Sequence, residues 1–381
     1  MLEGQPPEHQ QAAPPDLPAR LETVRAQGYE MMDSAQVAGV SNLSVPIFGP
    51  LGSVIAVLTC PYTQRLDKLD TPDRQAALAL LQAVGQEISQ RAPRSARTSG
   101  EGSSGMRILD THLHLIYPDR FSYPWLSGEP GINQPWPLEN YFAEGVPLGI
   151  ESALHMEVDV AEPDMMAESE FVLTLPRIVG AIAACRPEQM NFVDQIEQLS
   201  EHAHIKGVRR VLHVMPDDLS QSDLFVENIR HLPDYDLSFD LCLRADQLYL
   251  GQMLAERAPD VTFILDHCGN PHISGPGGGL DPWRDDIRRL AKSPNVVAKI
   301  SGLANHCADA HWTAETLRPY VEHVIECFGW QRVVWGSDHP VLTLGGSLTR
   351  WVEATREIIG SATPDEQAQL LHRNAERVYK V

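Results

Sequence analysis

No stretch of this 381-residue chain is long and apolar enough to cross a bilayer, and Met1-Leu2-Glu3-Gly4-Gln5-Pro6-Pro7 lacks the basic and apolar regions of a signal peptide. The cytoplasm is the expected compartment. Basic residues are scarce: 30 Lys and Arg stand against 51 Asp and Glu, a formal net charge of −21. With no local basic patch, that balance opposes nonspecific attraction to nucleic acid or to an anionic membrane, and neither is expected as a partner. No Cys-x-x-Cys pair occurs among the six cysteines, Cys60, Cys185, Cys242, Cys268, Cys307 and Cys327. Most sit in apolar runs, so they are expected to be reduced and structural, with no zinc cluster among them. What is present is ample apolar material: at 43% hydrophobic residues the chain can bury one large core and a smaller one.

Residues 1–16 are rich in Pro, Gln and Ala and are expected to form a disordered tail. Residues 17–91 have the pattern of a small α+β unit. Leu17 to Met32 has helical spacing, Ser41–Phe48 and Val54–Tyr62 alternate as strands around the turn Gly49-Pro50-Leu51-Gly52, and Thr71–Arg91 is an amphipathic helix opened by Thr71-Pro72-Asp73. Gly28-Tyr29-Glu30, Ala38-Gly39-Val40-Ser41-Asn42-Leu43-Ser44-Val45-Pro46-Ile47 and Gly52-Ser53-Val54-Ile55-Ala56-Val57-Leu58-Thr59 resemble the latter half of the effector-binding domain of IclR-type transcription regulators. The winged helix-turn-helix and the first half of that domain do not precede it, so DNA binding is not carried over. The segment is expected to be vestigial or to mediate homo-oligomers through its strand edge, rather than to act as a working sensor. Residues 92–105 end in a Gly/Ser run and read as a flexible linker.

The chemistry is expected in residues 106–381. Ile108-Leu109-Asp110-Thr111-His112-Leu113-His114 ends in His-x-His, and on a strand His112 and His114 emerge from the same face. Seven more strand candidates follow at helix-length intervals: Gly149–Val158, Ile178–Cys185, Ile205–Leu212, Leu237–Leu243, Val261–Gly269, Val296–Leu303 and Arg332–Asp338. Helical patterns such as Pro187–His202, Ala245–Ala258, Trp283–Lys292 and Thr313–Phe328 separate them. Eight β/α repeats predict a (β/α)8 TIM barrel, the small α+β unit and the linker preceding it, with its site at the carboxyl ends of the strands. Those ends carry His112, His114, Glu157, Arg186, Arg209, Arg244, His267, Ser301 and Asp338.

An ionised Asp338 at the end of the eighth strand can take a proton from attacking water and return it to a leaving alkoxide. The alternative is a turn cap, since Ser-Asp-His-Pro is good turn chemistry. His112 and His114 either ligate a divalent ion with Asp338 or donate directly to a substrate carbonyl. His267 is expected to polarise the same carbonyl, with a packing role beside Asp266 as its alternative. Arg186, Arg209 and Arg244 suit a carboxylate-bearing or polyhydroxy substrate, or else pair with acidic residues of the rim. Tyr123 and Trp125 are candidates for an aromatic wall, or for packing against the barrel top. His155, His213, His306 and His311 have no matched partner and are expected to be bystanders.

The stretches Leu109-Asp110-Thr111-His112-Leu113-His114, Phe121-Ser122-Tyr123-Pro124-Trp125-Leu126, Ile205-Lys206-Gly207-Val208-Arg209, Leu265-Asp266-His267-Cys268-Gly269, Lys299-Ile300-Ser301-Gly302-Leu303, Val334-Trp335-Gly336-Ser337-Asp338-His339-Pro340 and Asn374-Ala375-Glu376-Arg377-Val378-Tyr379 resemble the second amidohydrolase family of the metal-dependent hydrolase superfamily, in its lactonase branch. The resemblance implies hydrolysis of a small lactone, with Asp338 as general base and then acid and His112, His114 and His267 around the carbonyl. It leaves the metal open: zinc would use His112, His114 and Asp338, with Glu157 in place of the histidine that metal-bearing relatives commonly carry on the fifth strand, whereas metal-independent lactonases need none. A metal-dependent decarboxylase of the same superfamily and a noncatalytic ligand-sensing or scaffold protein are the alternative functions.

Overall fold

A computed structural model describes residues 20, 23, 24, 26–34, 38–48, 54–63, 72–91, 106–274 and 280–381. The expected tail, the turn at 49–52 and the linker lie outside the described residues. The chain divides into two compact units, one of residues 1–99 with 360–363 and one of residues 100–359 with 364–381.

In the first unit, β1 (Glu30–Asp33), β2 (Val40–Phe48) and β3 (Val54–Thr63) form an antiparallel sheet in that order, and α1 (Arg74–Arg91) packs on it. Strand β2 alternates buried and half-buried residues. Leu43 and Val45 meet Leu78 of α1 in a small core. The helix expected from Leu17 to Met32 is corrected at its end. Gly28 takes a left-handed φ of +77°, which stops the helical stretch, and Glu30 onward pairs with Ser41–Ser44 as a strand.

The second unit is the barrel. Its sheet runs in chain order with all neighbours parallel: β4 (Ile108–Leu113), β5 (Ile150–Met156), β6 (Ile178–Ala184), β7 (Ile205–Val211), β8 (Ser238–Cys242), β9 (Phe263–Leu265), β10 (Val296–Ile300) and β11 (Val333–Trp335). Helices including α2 (Leu138–Gly145), α3 (Met165–Val172), α4 (Phe192–Ser200), α5 (Asp223–Ile229), α6 (Leu248–Arg257), α7 (Trp283–Leu290), α8 (Ala314–Phe328) and α9 (Leu348–Ile358) alternate with the strands. The strands are almost wholly buried, because helices cover one face and the barrel interior the other. Leu109, Leu154, Met156, Ile182, Ile264, Val297 and Val334 fill the interior with Ala375 and Tyr379 of the last helix.

The seam between β4 and β11 is closed partly by a side chain. Asp110 Oδ1 accepts from the Ser337 N–H at 2.8 Å, Oδ2 accepts from the Ser337 hydroxyl at 2.5 Å, and the Tyr141 hydroxyl also donates to Oδ2. Beside it the Asp338 N–H donates to His112 O at 2.9 Å and the His114 N–H to His339 O at 2.8 Å. The expected strands are all shorter than their apolar runs, most of all the sixth, which ends at Leu265, the seventh, at Ile300, and the eighth, at Trp335, because the residues after them turn away. Among the described residues no helix is long and apolar enough to cross a membrane.

Candidate active site

The first strand is irregular, and the irregularity places the histidines. Leu109 faces the apolar interior and His112 touches residues of that same interior face. An odd separation of three residues cannot put both there in a regular strand. The pairing of β4 with β5 shifts between Asp110 and Leu113, which supplies the missing step. His114 then aims its Nδ1–H at the carbonyls of Met156 and Glu157, both at 3.1 Å. Carbonyls only accept, so His114 Nδ1 carries a proton and Nε2 is the nitrogen that faces the site.

His267 and Asp338 are set by left-handed turns at the strand ends, with φ of +53° and +60°. Each bends the chain inward just after its strand, and a non-glycine residue at such a φ is held by its surroundings at a cost. His267 Nδ1 lies 2.8 Å from Ser301 Oγ. Gly302, at φ +66°, passes so close that a Cβ there would stand 2.5 Å from His267 Nδ1. Asp338 Oδ2 accepts from Asn305 Nδ2 at 3.0 Å. Its Oδ1 faces three imidazoles: His114 Nε2 at 3.4 Å, His267 Nε2 at 3.7 Å and His112 Nε2 at 3.8 Å. Burial alone would raise the Asp338 carboxyl, but the His267, His114 and His112 rings overcome it and hold the group below the usual carboxylate range. Burial lowers His267 from its ordinary value.

Beneath these residues lies a charged layer. Lys299, wholly buried, donates to Asp240 Oδ2 at 2.7 Å, and its Nζ is 3.1 Å from both His112 Nδ1 and Asp266 Oδ1. Burial would lower the Lys299 ammonium, but Asp240 and Asp266 hold it above the ordinary lysine value. Arg209 donates through Nε to Glu157 Oε1 at 2.6 Å, through Nη2 to Glu157 O at 3.0 Å and through Nη1 to Asp266 Oδ2 at 3.4 Å.

A cavity of about 810 Å³ opens above, with His114, His267, Asp338 and Asn305 among its lining. The sequence-predicted residues divide around it. Trp125 lines it, with its indole N–H bound to Val158 O at 2.8 Å, and so does Arg244, which donates to His213 O at 2.5 Å and Asp246 Oδ1 at 2.9 Å. Arg209 lines it as well, with its donors turned to Glu157 and Asp266. His112 does not reach the cavity and lies behind His114. Arg186 does not reach it either. It donates to Cys185 O at 3.0 Å and sits 3.6 Å from Glu162 and 3.9 Å from Asp159. The Tyr123 hydroxyl accepts from the Tyr117 N–H at 2.9 Å, and its ring packs in the loop core of Ile116, Leu126 and Ile132. Glu157 is not brought to the histidines: its carboxylate is taken by Arg209 and by the Asp159 N–H at 2.7 Å.

Sequence reasoning missed four contributors. Lys299 and Asp240 were hidden inside apolar strands, where one polar residue on the inward face of a buried strand was the available signal. His213 and His306, expected to be bystanders, line the cavity, and burial holds both down to about 4. They lie in loops after strands, where spacing carries no signal.

The Amidohydrolase family profile matches residues 109–381. The chain belongs to the amidohydrolase family. It is 30% identical over 251 residues to an L-fucono-1,5-lactonase of Burkholderia ambifaria, 62% of this chain and 83% of that protein. It is also 29% identical over 308 residues to an uncharacterized protein of Sinorhizobium fredii, 73% of this chain and 100% of that one. Among solved structures, an amidohydrolase from Burkholderia multivorans with bound zinc aligns with a TM-score of 0.66 at 21% identity, over 72% of this chain and 99% of that one.

In this amidohydrolase, His112, His114 and Asp338 are spaced as ligands of one ion would be. The three atoms that face one another stand 3.2, 3.4 and 3.8 Å apart. Tetrahedral zinc with bonds of about 2.0–2.1 Å sets its ligand atoms roughly 3.3–3.4 Å apart. A second cluster, His112, Asp266 and His267, already faces the Lys299 ammonium and the Arg209 guanidinium.

Proposed function

We propose that the protein is a lactonase that adds water across the acyl C–O bond of a neutral, polyhydroxylated lactone of the sugar-acid type, releasing the hydroxy acid. The observation that carries the reading is Asp338, ionised at the cavity floor beneath three imidazoles. Its Oδ1 takes a proton from water as the oxygen attacks the carbonyl, and returns it to the alkoxide as the ring opens. His267, anchored at Ser301, holds its Nε2 where the oxyanion develops. A divalent ion held by His112, His114 and Asp338 would polarise the carbonyl and acidify water when bound.

The choice of a neutral substrate rests on charge. Glu129, Asp159, Asp246 and Asp338 line the cavity against Arg209 and Arg244, and both arginines are engaged by the protein's own acceptors. A dicarboxylate lactone would find little free positive charge, whereas sugar hydroxyls match carboxylates and amides. The lactonase name of the Burkholderia ambifaria relative supports the same class. For residues 17–91 we propose no part in the chemistry. Their IclR-type reading rests on the quoted motifs.

The test is proton release in weak buffer from neutral sugar-acid lactones and from pyrone or muconate carboxylate lactones, with the wild type and Asp338→Asn. Hydrolysis of the neutral group, lowered at least about 10²-fold in the variant, is expected. Preference for the carboxylate lactones would reverse the substrate assignment. Release of carbon dioxide from an aromatic acid with silence across the panel would replace lactonase by decarboxylase, and silence with both would leave a noncatalytic role.

A further inference from the structure

The first unit covers its apolar side chains poorly. Of the fourteen large hydrophobic residues exposed among the described ones, seven belong to it, among them Val57 on β3 and Leu80, Val84 and Ile88 on α1. Its buried cluster is built on Leu43, Val45 and Leu78, less core than a unit of this size needs to stand alone. The excess gathers beside β3. The Tyr62 hydroxyl donates to Pro72 O at 3.1 Å and Ser89 Oγ accepts from the Phe48 N–H at 2.9 Å, so α1 lies over β2 and runs with it. Leu78, Gly85 and Ser89 face the sheet, and the right-handed turn then sets Leu80, Val84 and Ile88 in one line on the flank above β3. Little covers β3 there: Ala56 and Cys60 stand opposite the buried Ile47 and Leu43, on the α1 side, yet both are exposed. β3 also ends the sheet, so among the described residues no strand pairs with the outer row of its main-chain groups.

Charge selects the occupant of this face. No Asp, Glu, Lys or Arg occurs in Val54–Thr63 or from Gln75 to Gln86, in a chain of net charge −21. A nucleic acid, an anionic membrane or a charged peptide finds no counter-charge there. Two copies of so acidic a chain repel each other across most of their surfaces and least across this one. An antiparallel edge turned about a two-fold axis also matches its own donors to its own acceptors. The area suffices: β3 and α1 expose sixteen residues, and with the half-buried Leu58, Tyr62, Ala77 and Leu81 they reach the roughly 20 residues a side of a standard interface. We propose that this face is a two-fold interface between copies of the chain. β3 pairs antiparallel with the same strand of a second copy, continuing the sheet to six strands, and the Leu80, Val84 and Ile88 lines of the two α1 helices pack together over the joint.

Sedimentation equilibrium of the full chain is expected to give twice the chain mass. Leu80→Glu with Val84→Glu places like charges where the two lines meet and is expected to weaken association at least about 10²-fold, with far-UV circular dichroism unchanged because both side chains are exposed. Leu80→Lys with Val84→Lys is expected to do the same, and mixing the acidic and basic variants is expected to restore the dimer, since each line faces its own copy. A wild type of single-chain mass overturns the proposal. So does a dimer that persists in either variant, or folded variants that stay single when mixed. If the variants do not fold, hydrogen exchange of the wild type decides: the amides of β3 are expected to exchange more slowly in concentrated than in dilute solution, and exchange independent of concentration overturns the interface.

Discussion

Arg209 illustrates how a residue aimed at a cavity can belong to the scaffold. Its guanidinium joins Glu157 on β5's continuation to Asp266 after β9, with only a small share of the side chain exposed. Arg209→Leu leaves the buried Glu157 carboxylate without its cation and Asp266 with Lys299 alone, and is expected to cost about 3–5 kcal/mol, measurable as a lower midpoint of denaturant unfolding. A loss confined to KM, with unchanged stability, would instead make Arg209 a substrate contact. Glu168 offers a second test. Its Oε1 accepts from the Val158 N–H at 3.2 Å while Oε2 has no partner, and burial, then the nearby Glu157 carboxylate, push its acid well above the ordinary glutamate value. The native state keeps this proton where the unfolded chain, with its carboxyl near 4.5, releases it. Stability from the protonated form is therefore full below that value and is lost as pH rises toward the folded one. Wild type is expected to lose stability relative to Glu168→Gln as pH rises above 4.5, by up to about 1.4 kcal/mol per pH unit. A pH-independent difference in melting temperature would show that Glu168 is ionised in both states.

At the scale of elements, the barrel strands deliver the chemistry by stopping short. β9 and β11 end three residues long, and the left-handed turns after them carry His267 and Asp338 inward. Gly302 in the loop after β10 is the neighbour that this arrangement requires. A methyl group there would collide with the His267 ring and would also suffer the positive φ. Gly302→Ala is expected to displace His267 and lower kcat roughly 10²-fold while far-UV circular dichroism stays native. Full activity in the variant would remove His267 from the oxyanion site.

For the whole molecule, every side chain placed in the site lies between His112 and Asp338, within the second unit. A chain of residues 106–381 is therefore expected to keep the kcat/KM of the full chain on the same lactone. A folded but inactive truncation would show that residues 1–105 contribute to the reaction. A gel-filtration comparison of the two chains tests the expectation of homo-oligomers, with a drop in apparent mass beyond the deleted residues as the expected sign of assembly.

The order and number of the barrel strands were legible in the sequence because a parallel strand buried on both faces leaves a local trace, a short apolar run between turn residues. His-x-His and Asp338 were legible for the same reason, since they stand at the ends of such runs. The division of labour among the charged residues was not. Whether Arg209 meets a ligand or Glu157, whether Glu157 faces the histidines, and whether Lys299 touches His112 depend on contacts between positions 52, 57 and 187 residues apart. Those pairings exist only once the sheet curls and its two ends meet, because side-chain direction is a local property of the chain and the partner it finds is not.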